Sequence, residues 1–136
     1  MLHKILGKME KEVLITPPFW CDYGYHIEVG NYFYSNHNLI ITDGAMVKFG
    51  HNVFIAPNVC ITTAEHAIDP EMRKNGIEIA KPITIGNNVW IGAGSVVKGK
   101  IPSNVVAVGV PCKVIRKITV KDKNTYPLHN SLTKNN

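Results

Sequence analysis

The side chains most capable of chemistry in this 136-residue chain are its histidines and cysteines, so their spacing comes first. The histidines are His3, His26, His37, His51, His66 and His129. A zinc hydratase would need three of them converging on one metal, two of them closely spaced. No H-x4-H pair occurs, so that chemistry has no support. Cys21, Cys60 and Cys112 stand apart without a CxxC pair. They suggest neither a zinc site nor a disulfide frame, and they fit a reducing cytoplasm, the expected compartment. His66 is set apart by its position, in A-E-H-A-I-D-P within a polar interruption. A lone loop histidine is ordinarily a solvated side chain, so its surroundings must decide its role.

The charge narrows the partners. The formal net charge is +5, with lysines near the start (Lys4, Lys8, Lys11) and basic residues again from Lys98 onward. A basic balance suits nucleic acid, an anionic membrane or a phosphorylated ligand. Neither cluster interleaves with aromatic residues, as a base-stacking surface requires, so no nucleic-acid partner is expected. No apolar run approaches the roughly 18 residues of a membrane helix, and no membrane partner is expected either.

The elements that must position these residues follow a period of six. Aliphatic or small residues recur at Val29, Ser35, Ile41, then Phe49, Ile55, Ile61, then Ile85, Ile91, Val97. Short strand-forming runs separate at Gly-Asn, Asp-Gly and Gly-His-Asn corners, and no helical period appears after Met9. Three hexads make a triangular coil of about 18 residues, and coils stack to hide one inward side chain per face. Three coils are counted. The stretch from about 62 to 82 loses the period and reads as a projecting loop, of a length usually functional or disordered.

The runs F-W-C-D-Y-G-Y-H-I, N-Y-F-Y-S-N-H-N-L, F-I-A-P-N-V, A-E-H-A-I-D-P, I-T-I-G-N-N-V-W-I-G and N-V-V-A-V-G-V-P-C-K-V-I-R-K-I resemble, in this order, the maltose and galactoside O-acetyltransferases. The resemblance spans about Pro17 to Ile118. It implies an all-β, left-handed parallel β-helix that moves acetyl from acetyl-CoA to a sugar hydroxyl, with no metal. Such a hydroxyl needs a base within reach and donors for the developing oxyanion. His66 matches the family base, and Asn36 the asparagine that places the acceptor beside it. Tyr34, Asp43, Asp22 and Glu78 match acceptor-side positions, although Asn36 and Asp43 also suit strand corners. Trp90 would flank the pantetheine arm, and the Ala93 N–H would meet the thioester oxygen. Lys98, Lys113 and Arg116 fall at cofactor-side positions, the last two near the adenosine phosphates. The family also implies a homotrimer with each site between two subunits.

The chain departs from the pattern twice. Only Met1 to Glu12 stands where the family has a helical cap of some 50 residues. After V-W-I-G-A-G-S-V-V the chain passes directly from Lys98-Gly99-Lys100 to Ile101-Pro102, skipping about one coil. The expected organisation is a short N-terminal segment (1–16), the β-helix (17–118) and a polar tail (119–136). The alternative function is a shortened β-helix serving as a catalytically weak or inactive binding or assembly module.

Overall fold

In the computed structural model, which describes residues 1–124, the chain winds into a triangular parallel β-helix of about five coils. Face 1 stacks Lys8–Met9, Ile27–Val29, Val47–Phe49 and Ile83–Ile85, extended by a bridge from Ile85 to Ile101. Face 2 stacks Val13–Ile15, Phe33–Ser35, Val53–Ile55, Val89–Ile91 and Val105–Val108, and is finished by the antiparallel Lys113–Lys117. Face 3 stacks Phe19–Cys21, Leu39–Thr42, Cys60–Thr62 and Val96–Val97. Among the described residues no helix is long and apolar enough to cross a membrane.

The period of six is the reason for the prism. Alternate residues of each short strand point inward, and Ile41, Val47, Val53, Val59, Ile61 and Ile91 are completely or almost completely buried. Two polar side chains, Ser35 and Ser95, share that interior and are satisfied locally. Ser95 Oγ donates to Gly92 O at 2.6 Å and accepts from the Gly109 N–H at 3.1 Å. At the corner from face 1 to face 2 the coils approach too closely for a side chain. A Cβ on Gly50 would lie 2.8 Å from backbone atoms of Gly86, and one on Gly30 would lie 2.5 Å from Gly50 O. Asn52, Asn88 and Asn104 turn this corner at positive φ (57°, 54° and 60°) and link side chain to side chain at 3.0 and 2.8 Å.

The count of three coils is corrected by the structure. Residues 8–15, which the repeat left outside the helix, pair in parallel register with the coil above: Met9 with Val29 and Ile15 with Ser35. A last coil follows Val97, with Ile101 on Ile85 and Ala107 on Ile91. The absence of any helix after Met9 is also corrected. Pro70–Lys74 is helical and Val120–Asn124 forms a 3-10 turn. Residues 125–136, with most of the expected tail and His129, lie outside the described residues.

All variation in coil length is confined to one edge. Steps from face 1 to face 2 and from face 2 to face 3 take six residues, as in Met9, Ile15, Cys21 and in Ile85, Ile91, Val97. The return from face 3 to face 1 takes eight residues from Cys21 to Val29 and from Ile41 to Phe49. It takes 24 from Ile61 to Ile85, and four from Val97 to Ile101. This single edge therefore carries every insertion without disturbing the register of the faces.

Candidate active site

The 24-residue return is an ordered hairpin. Ala64–His66 pairs antiparallel with Glu78–Ala80, so His66 stands directly opposite Glu78. Cross-strand neighbours of this kind have Cβ atoms about 4.5–5.5 Å apart, on the same side of the hairpin. Both residues are exposed. Between the strands, Asp69 caps the short helix by accepting the Met72 N–H at 2.9 Å, with Pro70 as its first residue. D-P-E is the sequence signal for such a start. Arg73 Nη1 donates to the carbonyls of Ala67 and Ile68 at 3.3 and 3.4 Å, closing the tip. At the root, the Lys81 N–H donates to Thr63 O at 2.9 Å.

The edge below the hairpin is built on Asp43. This residue is fully buried, and its carboxylate accepts the N–H groups of Asp22, Tyr23 and Gly24 at 3.0, 3.0 and 2.7 Å. Charge-assisted bonds of this type are strong. Expected on the acceptor side, Asp43 thus shapes the corner that presents Asp22, which is exposed. Thr63 ties this corner to the hairpin, its Oγ1 accepting the Ala45 N–H at 3.1 Å and donating to Thr42 O at 2.7 Å. Lys98, in the shortened fourth return, places Nζ 2.8 Å from Glu65 Oε1, beside His66. That contact holds the Glu65 carboxyl below its ordinary range, through the hydrogen bond first and the charge second.

The remaining expected residues lie elsewhere on the prism. Asn36 turns the corner from face 2 to face 3, and its Oδ1 accepts the His37 N–H at 2.7 Å. Ala93 occupies the same corner two coils up. Its neighbours Gly92 and Gly94 donate to Ala107 O and Pro57 O at 2.9 and 3.0 Å. Among the described residues the Ala93 N–H has no partner. Trp90 and Tyr34 point outward from face 2 in line with Phe54. Trp90 and Phe54 line an open cavity of about 440 Å³ with Asn52, Asn88, Asn104 and Ile118. Lys113 and Arg116 sit on the closing antiparallel strand, where Arg116 forms a two-pronged pair with Asp122.

The expected residues therefore fall into two groups. Asp22, Asp43, His66, Glu78 and Lys98 line the edge between faces 3 and 1. Tyr34, Asn36, Trp90, Ala93, Lys113 and Arg116 line face 2 and the edge beyond it. Face 3, four residues wide at Leu39–Thr42 and so about 13 Å across, separates the two groups within one chain. Asn36 and His66 therefore occupy different edges of the prism within one chain.

The fold and the hairpin define a hexapeptide-repeat β-helix of the acyltransferase type. No protein-family model matches the chain, but individual proteins do. The Saccharomyces cerevisiae protein YJL218W is 53% identical over 143 residues, covering 92% of this chain and 73% of that protein. The galactoside O-acetyltransferase of Escherichia coli K12 is 42% identical over 144 residues, covering 93% and 71%. A galactoside acetyltransferase solved in complex with coenzyme A superposes with a TM-score of 0.80 at 42% identity, covering 93% of this chain and 72% of that one. The chain belongs to the galactoside and maltose O-acetyltransferase family of hexapeptide-repeat enzymes. The 143 positions aligned with the yeast protein hold 92% of this chain, about 125 residues, so at about 18 positions this chain has a gap. That is the length of one triangular coil, in keeping with the direct passage from Lys98 to Ile101.

Proposed function

We propose that the protein transfers acetyl from acetyl-CoA to a hydroxyl of a sugar, with His66 as general base. His66 takes the hydroxyl proton as the oxygen attacks the thioester carbonyl. The Ala93 N–H donates to the oxyanion that develops there. As the tetrahedral species collapses, the protonated imidazole returns its proton to the departing thiolate, leaving coenzyme A and the acetyl ester. Asn36, Tyr34 and Asp22 hold the acceptor, Glu78 flanks the base, and Trp90 borders the pantetheine arm. Lys113 and Arg116 meet the phosphates of the donor, and Lys98 steadies the hairpin through Glu65.

The observation that carries this reading is the hairpin itself. An ordered, hydrogen-bonded arm presents one exposed imidazole opposite a carboxylate, at the edge that absorbs every insertion.

The reading includes a homotrimer working in the cytoplasm, with each site shared by two subunits. The split of the site residues between two edges supports this, because one chain cannot bring Ala93 to His66. So does the contrast between faces. The outward ladders Leu14, Tyr34, Phe54, Trp90 on face 2 and Trp20, Ile40, Cys60, Val96 on face 3 are largely apolar. Face 1 shows Lys8, Glu28, Lys48 and Thr84, with Lys48 and Glu28 paired at 3.3 Å. Faces 2 and 3 of neighbouring copies would meet, leaving the charged face to water. The deciding experiment is acetyl transfer from acetyl-CoA to a panel of sugars by the wild type and His66→Ala. Transfer that persists unchanged in the variant removes the assignment.

A further inference from the structure

The first-coil corner on the hairpin's edge carries three aromatic rings in mutual contact. Tyr23 and Tyr25 have ring centroids 5.3 Å apart, tilted at 39°. His26 stands edge-on to Tyr25 at 4.5 Å and to Tyr23 at 5.8 Å. The tyrosines are 55% and 58% exposed, and among the described residues neither hydroxyl hydrogen-bonds the chain. A single exposed tyrosine needs no explanation, but a clustered pair held in place by buried groups does. The corner is fixed from below and from behind. Gly24 is buried at φ +85°, and a Cβ there would lie 2.7 Å from Ile5 O. The buried Asp43 carboxylate holds the Tyr23 N–H, and His26 Nδ1–H donates to Asp43 O at 2.7 Å. That bond leaves His26 Nε2 as an open acceptor.

We propose that Tyr23 and Tyr25 form a stacking shelf for a second hexose ring of the acceptor, away from the ring whose hydroxyl reacts. The proposal rests on the acetyl-transfer reading for the acceptor's identity as a sugar. Its position comes from the edge. The Tyr23 corner belongs to the first coil and the root of the hairpin, Thr63, to the third, so two strand spacings, about 10 Å, separate them. The turn between them is Asp43-Gly44-Ala45, where Gly44 keeps the surface low: a Cβ there would already touch Ala80 at 3.4 Å. A linked pair of rings laid along this edge would place one ring at the hairpin and the other on the tyrosines. The C–H face of a hexose is apolar and weakly positive, and it packs on the negative face of an aromatic ring. Asp22 and His26 Nε2 then offer acceptors to the hydroxyls at its rim. The shelf thus favours a disaccharide or glycoside over a lone hexose.

The test measures sugar binding without acetyl-CoA, by NMR titration of the full chain with maltose and, separately, glucose. Wild type, Tyr25→Ala and Tyr25→Phe are compared, with thermal melts and sedimentation of each. Tyr25→Ala should weaken maltose binding about three- to tenfold, the worth of one stacking contact. Glucose binding should stay the same, and Tyr25→Phe should match the wild type. Equal maltose affinity in wild type and Tyr25→Ala overturns the shelf, as does a wild type that binds no maltose. A change in sedimentation with sugar binding intact also overturns it and assigns the rings to contact between copies. Maltose held through Tyr25 by a protein that never transfers acetyl would retire the enzymatic reading while leaving the shelf standing.

Discussion

Lys98 Nζ lies 2.8 Å from Glu65 Oε1, joining the four-residue return of the fourth coil to the strand that ends in His66. The pair is about half exposed on each side, so it adds little to global stability. What it constrains is the hairpin. Glu65 titrates lower in the folded chain than its ordinary value of 4.5. The tether is therefore complete above that value and is lost as pH falls through the lowered one. Amide exchange along Ala64–His66, taken relative to the intrinsic rate at each pH, should quicken on acidification below pH 4.5 in the wild type. In Lys98→Met it should already be quick at neutral pH. Identical exchange in the two proteins at neutral pH would show that the pair holds nothing.

Removing the base should cost turnover and leave the coil untouched. His66→Ala is expected to lower kcat about a hundred- to ten-thousandfold, the usual worth of general base catalysis. Its melting midpoint should stay within error of the wild type, because the side chain is exposed. A wild type that binds acetyl-CoA but acetylates no acceptor would favour the binding-module alternative, with the skipped coil as the first suspect.

Arg116 should matter to the donor. Arg116→Ala is expected to weaken acetyl-CoA binding by about 1.5–3 kcal/mol, the range for a hydrogen bond to a charged group. The lower end is expected, because the guanidinium already pairs with Asp122, which also accepts the Thr119 N–H at 2.7 Å. Calorimetry on the variant settles the point. An unchanged affinity would place the closing strand outside the donor slot.

The close approach of coils at Gly50 predicts an effect on stability. Gly50→Ala would drive a Cβ to within 2.8 Å of the Gly86 backbone. Forced overpacking of this kind costs about 1–3 kcal/mol. Denaturant melts should show the loss. Gly99→Ala, where a Cβ meets nothing within 4 Å, should be close to neutral.

The shared site predicts assembly. Sedimentation at micromolar concentration should give three times the chain mass of 15.1 kDa. A monomer that still transfers acetyl would contradict the separation of Ala93 from His66 by the width of face 3.

The sequence by itself determined the prism, because an inward side chain must recur each time the chain crosses a face. Ile55, Ile61, Ile85 and Ile91 could be read as core for that reason, and each is 1% exposed or less. The first coil keeps the spacing of Met9, Ile15 and Cys21, but its corners read Glu-Lys-Glu and Thr-Pro-Pro. Without the Gly-Asn punctuation it did not stand out. The last coil was hidden by its four-residue return, which breaks the period while leaving the faces in register. The lost six-residue period marked His66 as lying in an interruption, and the D-P-E start of the short helix lies within it. Only the folded chain decided which residues share an edge. Position along a coil is a local property of the six-residue repeat. Proximity across coils depends on returns of four, eight and 24 residues stacked at one corner. That stacking set the buried carboxylate of Asp43 under Tyr23. It also left Asn36 and His66 on opposite sides of face 3.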